Sequence, residues 1–101
     1  MNRLAVLGLA LAFAVCTPVQ AAFDCSRAKS NAEKLLCSNP RLAVADERMA
    51  LAFRGAIHRG VDRRLLMETQ RDWINDARDI CNDVECMLKA YEERISELDS
   101  R

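Results

Sequence analysis

At 101 residues, with 15 basic and 15 acidic side chains, the chain carries no net charge. That excludes the long-range attraction that draws a protein to nucleic acid or an anionic membrane surface. Three glycines are too few to build a phosphate-cradling loop, whereas five cysteines are enough to crosslink a small body.

In chain order, Asn2-Arg3 gives a short positive start, and Leu4 to Val15 is apolar and uncharged. "CTPVQAAF" follows, with Val19 and Ala21 as the small residues at −3 and −1 of a cleavage site. This is the layout of a secretory signal peptide, and the apolar run is too short to cross a bilayer. The expectation is a signal peptide over 1–21, cut after Ala21 with Ala22 as the alternative. One domain over 22–101 would remain, free in the periplasm or secreted. Cys16 sits where a lipid-attachment cysteine would, but bulky Val15 stands where such signals carry a small residue. No later stretch is apolar enough for a membrane span.

Removing 1–21 leaves 80 of the 101 residues, and because Arg3 leaves too, 14 basic face 15 acidic side chains, a net of −1. A domain of this size buries only about 60% of its unfolded surface and is marginal without a staple. Cys25, Cys37, Cys81 and Cys86 remain. An even count in a short exported chain reads as two disulfides. A four-cysteine zinc site prefers pairs about two to four residues apart, whereas the spacings here are eleven and four intervening residues, in a compartment that oxidises thiols. A redox pair prefers Cys-x-x-Cys, which is absent. Neither a metal nor another cofactor is expected.

Four helices are predicted, with no repeat and no strand-like alternation. Ser30-Asn31-Ala32-Glu33 is a capping box that opens "AEKLLC". Pro40 ends that helix near Ser38, and Asn39 caps the next, with Pro40 at its first position. The second helix carries Leu42, Ala45, Met49, Ala52, Phe53, Ala56 and Ile57 as one apolar stripe and stops at Arg59-Gly60. Asp62 caps the third, whose stripe is Leu66, Thr69, Gln70, Trp73, Ala77 and Ile80. The fourth starts after Asn82-Asp83 and buries Val84, Met87, Leu88, Tyr91, Ile95 and Leu98. The fold class expected is all-α: a small disulfide-stapled helical bundle or hairpin of three to four helices.

Four cysteines allow three pairings. In an unbroken helix, residues five apart have Cα atoms roughly 8.7 Å apart, beyond the ~4.4–6.8 Å of a disulfide. A Cys81–Cys86 bond therefore requires a helix break at Asn82-Asp83. Asn31 to Cys37 rises only ~9 Å as helix, and Cys25 to Ser30 can stretch ~17 Å to fold back alongside it. Local pairing, Cys25–Cys37 and Cys81–Cys86, is feasible on both counts.

Little in the sequence points to an enzyme. The single histidine, His58, sits at a helix end with no evident nucleophile beside it, and Asp76, Asp79 and Asp83 lack the loop spacing and glycine of a calcium site. Asp46 falls on an apolar row, and Gln70 and Arg78 flank Trp73. A carboxylate taken from water needs a partner, so Asp46, Gln70, Trp73 and Arg78 are expected to form a structural polar network. In it Asp46 would meet Arg78, Gln70 or the Trp73 indole.

From Phe23 on, the chain resembles the LprI-type domain, a family of small exported bacterial proteins named for a lysozyme inhibitor. The matching residues are "FDC" at 23–25, Ala28, Glu33, "LLC" ending at Cys37, Asn39-Pro40, Leu42 and Asp46. They continue through Gln70-Arg71, Trp73-Ile74, Arg78-Asp79, Cys81, Cys86, Tyr91, Arg94-Ile95 and Leu98. Phe53 stands where the family often has tyrosine. The resemblance implies a helical, disulfide-bonded envelope domain and suggests lysozyme as a protein partner. Inhibition would block a cleft whose chemistry depends on two carboxylates. "HRGVDRR" offers Arg59, Arg63 and Arg64 as candidate partner contacts, and Arg27 and Lys29 lie in the stapled loop. The alternative is an envelope structural or binding module with another partner.

Overall fold

The computed structural model describes residues 23–101, so the expected signal peptide, Cys16 and the cleavage site lie outside the described residues. Everything from Phe23 on is helix, turn or short connection; no strand occurs among the described residues.

Local chemistry sets each boundary. Asp24 opens a 3-10 turn over Cys25–Arg27, its carboxylate accepting from the Ser26 amide at 3.0 Å. Helix α1 spans Asn31–Ser38 and begins with the expected capping box. The Ser30 hydroxyl accepts from the Glu33 amide at 3.0 Å, and the Glu33 carboxylate accepts from the Ser30 and Lys29 amides at 3.2 and 2.8 Å. Asn39 both closes α1 and caps α2, which runs Pro40–His58 with the proline at its start. Gly60 turns the chain at φ 95°, a left-handed conformation that favours glycine. Asp62 caps α3, Arg63–Trp73, and Asp83 caps α4, Val84–Asp99.

The third helix departs from its expected periodicity. Over Ile74–Arg78 it widens into a π-helical turn, marked by the Asp79 amide bonding back five residues to the Ile74 carbonyl at 2.8 Å. A π-turn holds more residues per turn than an α-turn and rotates everything after it. Arg78 and Cys81 consequently point inward, while Ile80, placed on the buried stripe by its spacing, is 66% exposed. The chain then breaks before Asp83, as the short disulfide requires.

Both local disulfides are present: Cys25–Cys37 and Cys81–Cys86, with Cα separations of 5.7 and 5.6 Å. The all-α, doubly stapled fold expected from the sequence is what the chain adopts.

The core is filled by Leu36, Leu42, Met49, Ala56, Leu66, Met87, Tyr91 and Leu98, all buried. A buried Leu or Met contributes about 1.5–3 kcal/mol by leaving water. The two long helices, α2 and α4, are parallel. Arg41 reaches Glu85 and Arg48 reaches Glu92, both pairs 44 positions apart. These pairs are exposed and report alignment more than stability. A parallel pair needs a crossover, and α3 supplies it: Thr69 and Gln70 face Arg94, whereas Trp73 faces Ala90, so α3 runs against α4.

Candidate functional site

Three polar features distinguish this body from a plain hydrophobic bundle: an internal cluster, a basic turn and shallow grooves along α4.

The internal cluster starts at Asp46, buried on α2. Tyr91 on α4 donates its hydroxyl to the Asp46 carboxylate at 2.8 Å. Burial, reinforced by the Asp46 charge, holds the phenol far above its ordinary ionisation range, and the nearby Arg78 guanidinium offsets only part of this. Trp73 packs edge-on against Tyr91, ring centroids 5.0 Å apart, and its indole N–H donates to the Ala90 carbonyl at 3.1 Å. Gln70 bridges the helices, donating to the Met49 sulfur at 3.1 Å and accepting from Arg94 Nε at 2.8 Å.

Arg78 is 5% exposed. It donates to Asp79 at 2.9 Å and to Glu33 at 3.5 Å, and the Phe23 ring lies 5.9 Å from its Cζ. Burial alone would lower the guanidinium pKa, but Asp79 and the neighbouring Tyr91 more than compensate, and the charge is retained. Arg78 thereby joins the N-terminal stapled segment, α1 and the π-turn. A phosphate or carboxylate ligand would have to displace these partners to reach it.

The expected polar network comprises Asp46, Gln70, Trp73 and Arg78. Tyr91 stands between Asp46 and Arg78, while Gln70 and Trp73 face α4 through Arg94 and Ala90. Two contributors were missed: Tyr91 as a donor, and Arg94, which is 2% exposed. Arg94 donates to Gln70, Thr69 and Glu97. A signal for it existed, because Arg94 falls on the row Met87, Tyr91, Arg94, Leu98 of the buried α4 stripe.

The basic turn joins α2 to α3. The Arg59 guanidinium closes the C-terminal end of α4, donating to the Leu98 and Arg101 carbonyls, both at 2.8 Å. Arg64 is exposed and 3.8 Å from Glu68, a weak pair. Arg63 is exposed, and its side chain meets no ion-pair or hydrogen-bond partner among the described residues. His58 is exposed at the end of α2, and Asp76, Asp79 and Asp83 have separate positions: exposed, paired with Arg78, and capping α4. Among the described residues no three His, Cys, Asp or Glu side chains converge as metal ligands. No helix among them is long and apolar enough to cross a membrane.

The grooves are open. One of about 310 Å³ lies between α2 and α4, walled by Leu51, Ala52, Gly55, Arg59 and Ile95. Another of about 320 Å³ lies between α3 and α4, with Trp73, Asp72, Asp76 and Glu97 around it. Chemically, such surfaces suit contact with a macromolecule better than enclosure of a small substrate.

Compared with family models, curated proteins and solved structures, the chain matches none.

Proposed function

We propose that this is an exported, LprI-type binding protein, not an enzyme, that blocks a lysozyme by protein–protein contact. The basic turn would enter the acidic cleft. The observation that carries the reading is Arg63: an exposed arginine, unpaired among the described residues, at the first position of α3 directly after the turn held by Gly60 and the Asp62 cap. Lysozyme catalysis needs one protonated and one ionised carboxylate. A guanidinium placed between them would pair with the ionised group and occupy the sugar's position. Arg64 adds a second charge, and Arg59 steadies the turn against α4.

The test is a cell-lysis titration of several lysozyme types with the oxidised protein. Inhibition is expected, and R63E/R64E should weaken it at least about tenfold, the effect of losing one charged contact of ~1.4 kcal/mol. Both residues are exposed, so circular dichroism of the variant should match the parent. Undiminished lysis at large molar excess would overturn the reading. Inhibition unaffected by R63E/R64E would remove the turn from it.

A second reading, an envelope module with a different partner, draws on the α2–α4 groove, where Leu51 is 61% exposed. Retention of a native envelope protein that L51E abolishes, with no lysozyme inhibition, would favour it.

A further inference from the structure

The two disulfides sit in opposite surroundings. Cys25 is exposed and Cys37 half-buried, whereas Cys81 is 1% exposed within the core and only its partner Cys86 reaches solvent. In thiol–disulfide exchange, a thiolate attacks one sulfur and the other leaves with the electron pair, so access and leaving-group quality both count.

At Cys81–Cys86 these two requirements conflict. An attacker can reach Cys86, but that expels Cys81 as a thiolate into an apolar core, where a new charge is strongly disfavoured. Cys86 would leave well from the first turn of α4, where free amides stabilise an anion. Expelling it, however, requires attack on the covered Cys81 sulfur. At Cys25–Cys37 there is no such conflict. Neither cysteine is buried, and near Cys25 the exposed Arg27 and Lys29 more than offset the charge of Asp24, so an approaching or departing thiolate meets no excess of negative charge.

We propose that Cys25–Cys37 is a reducible latch that a dithiol opens ahead of Cys81–Cys86, releasing residues 23–29 from Arg78. The dithiol's first thiolate bonds to Cys25 Sγ as the Cys25–Cys37 bond breaks. The electron pair goes to Cys37 Sγ, which takes a proton. The second thiol then displaces the mixed disulfide, leaving both cysteines reduced and the dithiol oxidised. No residue of 23–29 is fully buried, and Phe23, partly buried against the core, is the segment's one large apolar side chain, so once uncrosslinked the segment has little apolar area to hold it. Phe23 then leaves the Arg78 guanidinium, which gains an open face toward anionic groups. Helices α2 and α4, held by their own core, stay in place. None of this depends on the lysozyme reading.

Graded dithiothreitol on the oxidised protein, followed by alkylation and peptide mass spectrometry, tests the order. Cys25 and Cys37 should be labelled at least about tenfold faster than Cys81 and Cys86. Hydrogen exchange of the selectively reduced protein should rise in residues 23–29 and stay unchanged in α2 and α4. C25S/C37S should reproduce that pattern, and C81S/C86S should not. Equal rates, prior opening of Cys81–Cys86, or continued protection of residues 23–29 after selective reduction would overturn the proposal. The reduction measurements decide the matter even if C25S/C37S does not fold.

Discussion

Tyr91 on α4 donates its hydroxyl to Asp46 on α2 at 2.8 Å, inside the core. The bond joins the two long parallel helices and satisfies a carboxylate taken out of water. Removing a neutral donor from a buried carboxylate costs about 1 kcal/mol or more.

Y91F should therefore lower the melting temperature by several degrees, since ~1 kcal/mol corresponds to about 4–8 °C in a domain this small. Asp46→Ala should lower it at least as much, because a cavity is added to the lost bond. A change within a degree for Asp46→Ala would remove Asp46 from any structural role. Tyr91 is the chain's single tyrosine, so its ionisation can be followed directly. Burial and then Asp46 raise its pKa. A raised value means the neutral phenol stabilises the fold fully below the unfolded pKa of ~10, and that contribution is lost as pH rises above it. Phenolate absorbance should stay absent through about pH 11 and emerge together with alkaline unfolding.

Arg78 is buried between Glu33 and Asp79. Removing one partner of a buried ionic set is costly because the others lose their compensation, by about 3–5 kcal/mol in fully buried cases. Glu33 and Asp79 side chains retain 18% and 26% exposure, so R78M should cost toward the lower end, about 2–3 kcal/mol in urea unfolding. R78K should recover little, since an ammonium cannot reproduce the planar fork that meets two carboxylates beneath an aromatic ring.

Glu33 has its pKa lowered. The Lys29 amide is the largest cause, opposed by partial burial and reinforced by the Ser30 amide and the Arg78 charge. A lowered folded value means the stabilisation is present above the unfolded pKa of ~4.3 and disappears as pH falls through the folded value beneath it. E33Q keeps an acceptor for the capping box but not the charge. The difference in unfolding free energy between the native protein and E33Q should be positive at pH 7 and shrink towards zero as pH falls through the lowered folded pKa. A difference independent of pH would show that the Glu33 charge contributes nothing.

The crosslinks close loops of different length, with sequence separations of 12 and 5. On chain-entropy grounds the longer contributes about 3 kcal/mol and the shorter about 2. C25S/C37S should therefore lower the urea midpoint more than C81S/C86S. The reverse order would mean that the break between the π-turn and α4 depends on its staple for more than unfolded-state entropy.

Much of this was legible before any coordinates, because the signals are local. The Ser30–Glu33 box, the Asn39-Pro40 junction and the Asp62 and Asp83 caps act within a few residues and appear where the sequence places them. The disulfide pairing was legible as a feasible one for the same reason: helix rise and chain reach allow Cys25 to meet Cys37, a broken helix allows Cys81 to meet Cys86, and the structure contains both bonds. The π-turn was not. The regular three- and four-residue spacing carries no mark of its wider winding, and that rotation turns Arg78 and Cys81 inward and exposes Ile80 against its periodicity. Arg94 was half-legible: its stripe position marks it as buried, but its partners Gln70 and Thr69 lie on another helix.

By itself, then, the sequence determined which segments coil, where each begins, and which sulfurs lie near enough to join. Those properties follow from backbone capping and chain geometry over a dozen residues. Tertiary structure alone decided that α2 and α4 run parallel with α3 crossing back, that Tyr91 serves Asp46, and that Arg59 is turned onto the end of α4 while Arg63 faces water. Such choices depend on which buried polar groups can satisfy one another across some forty residues of chain, and no local pattern records them.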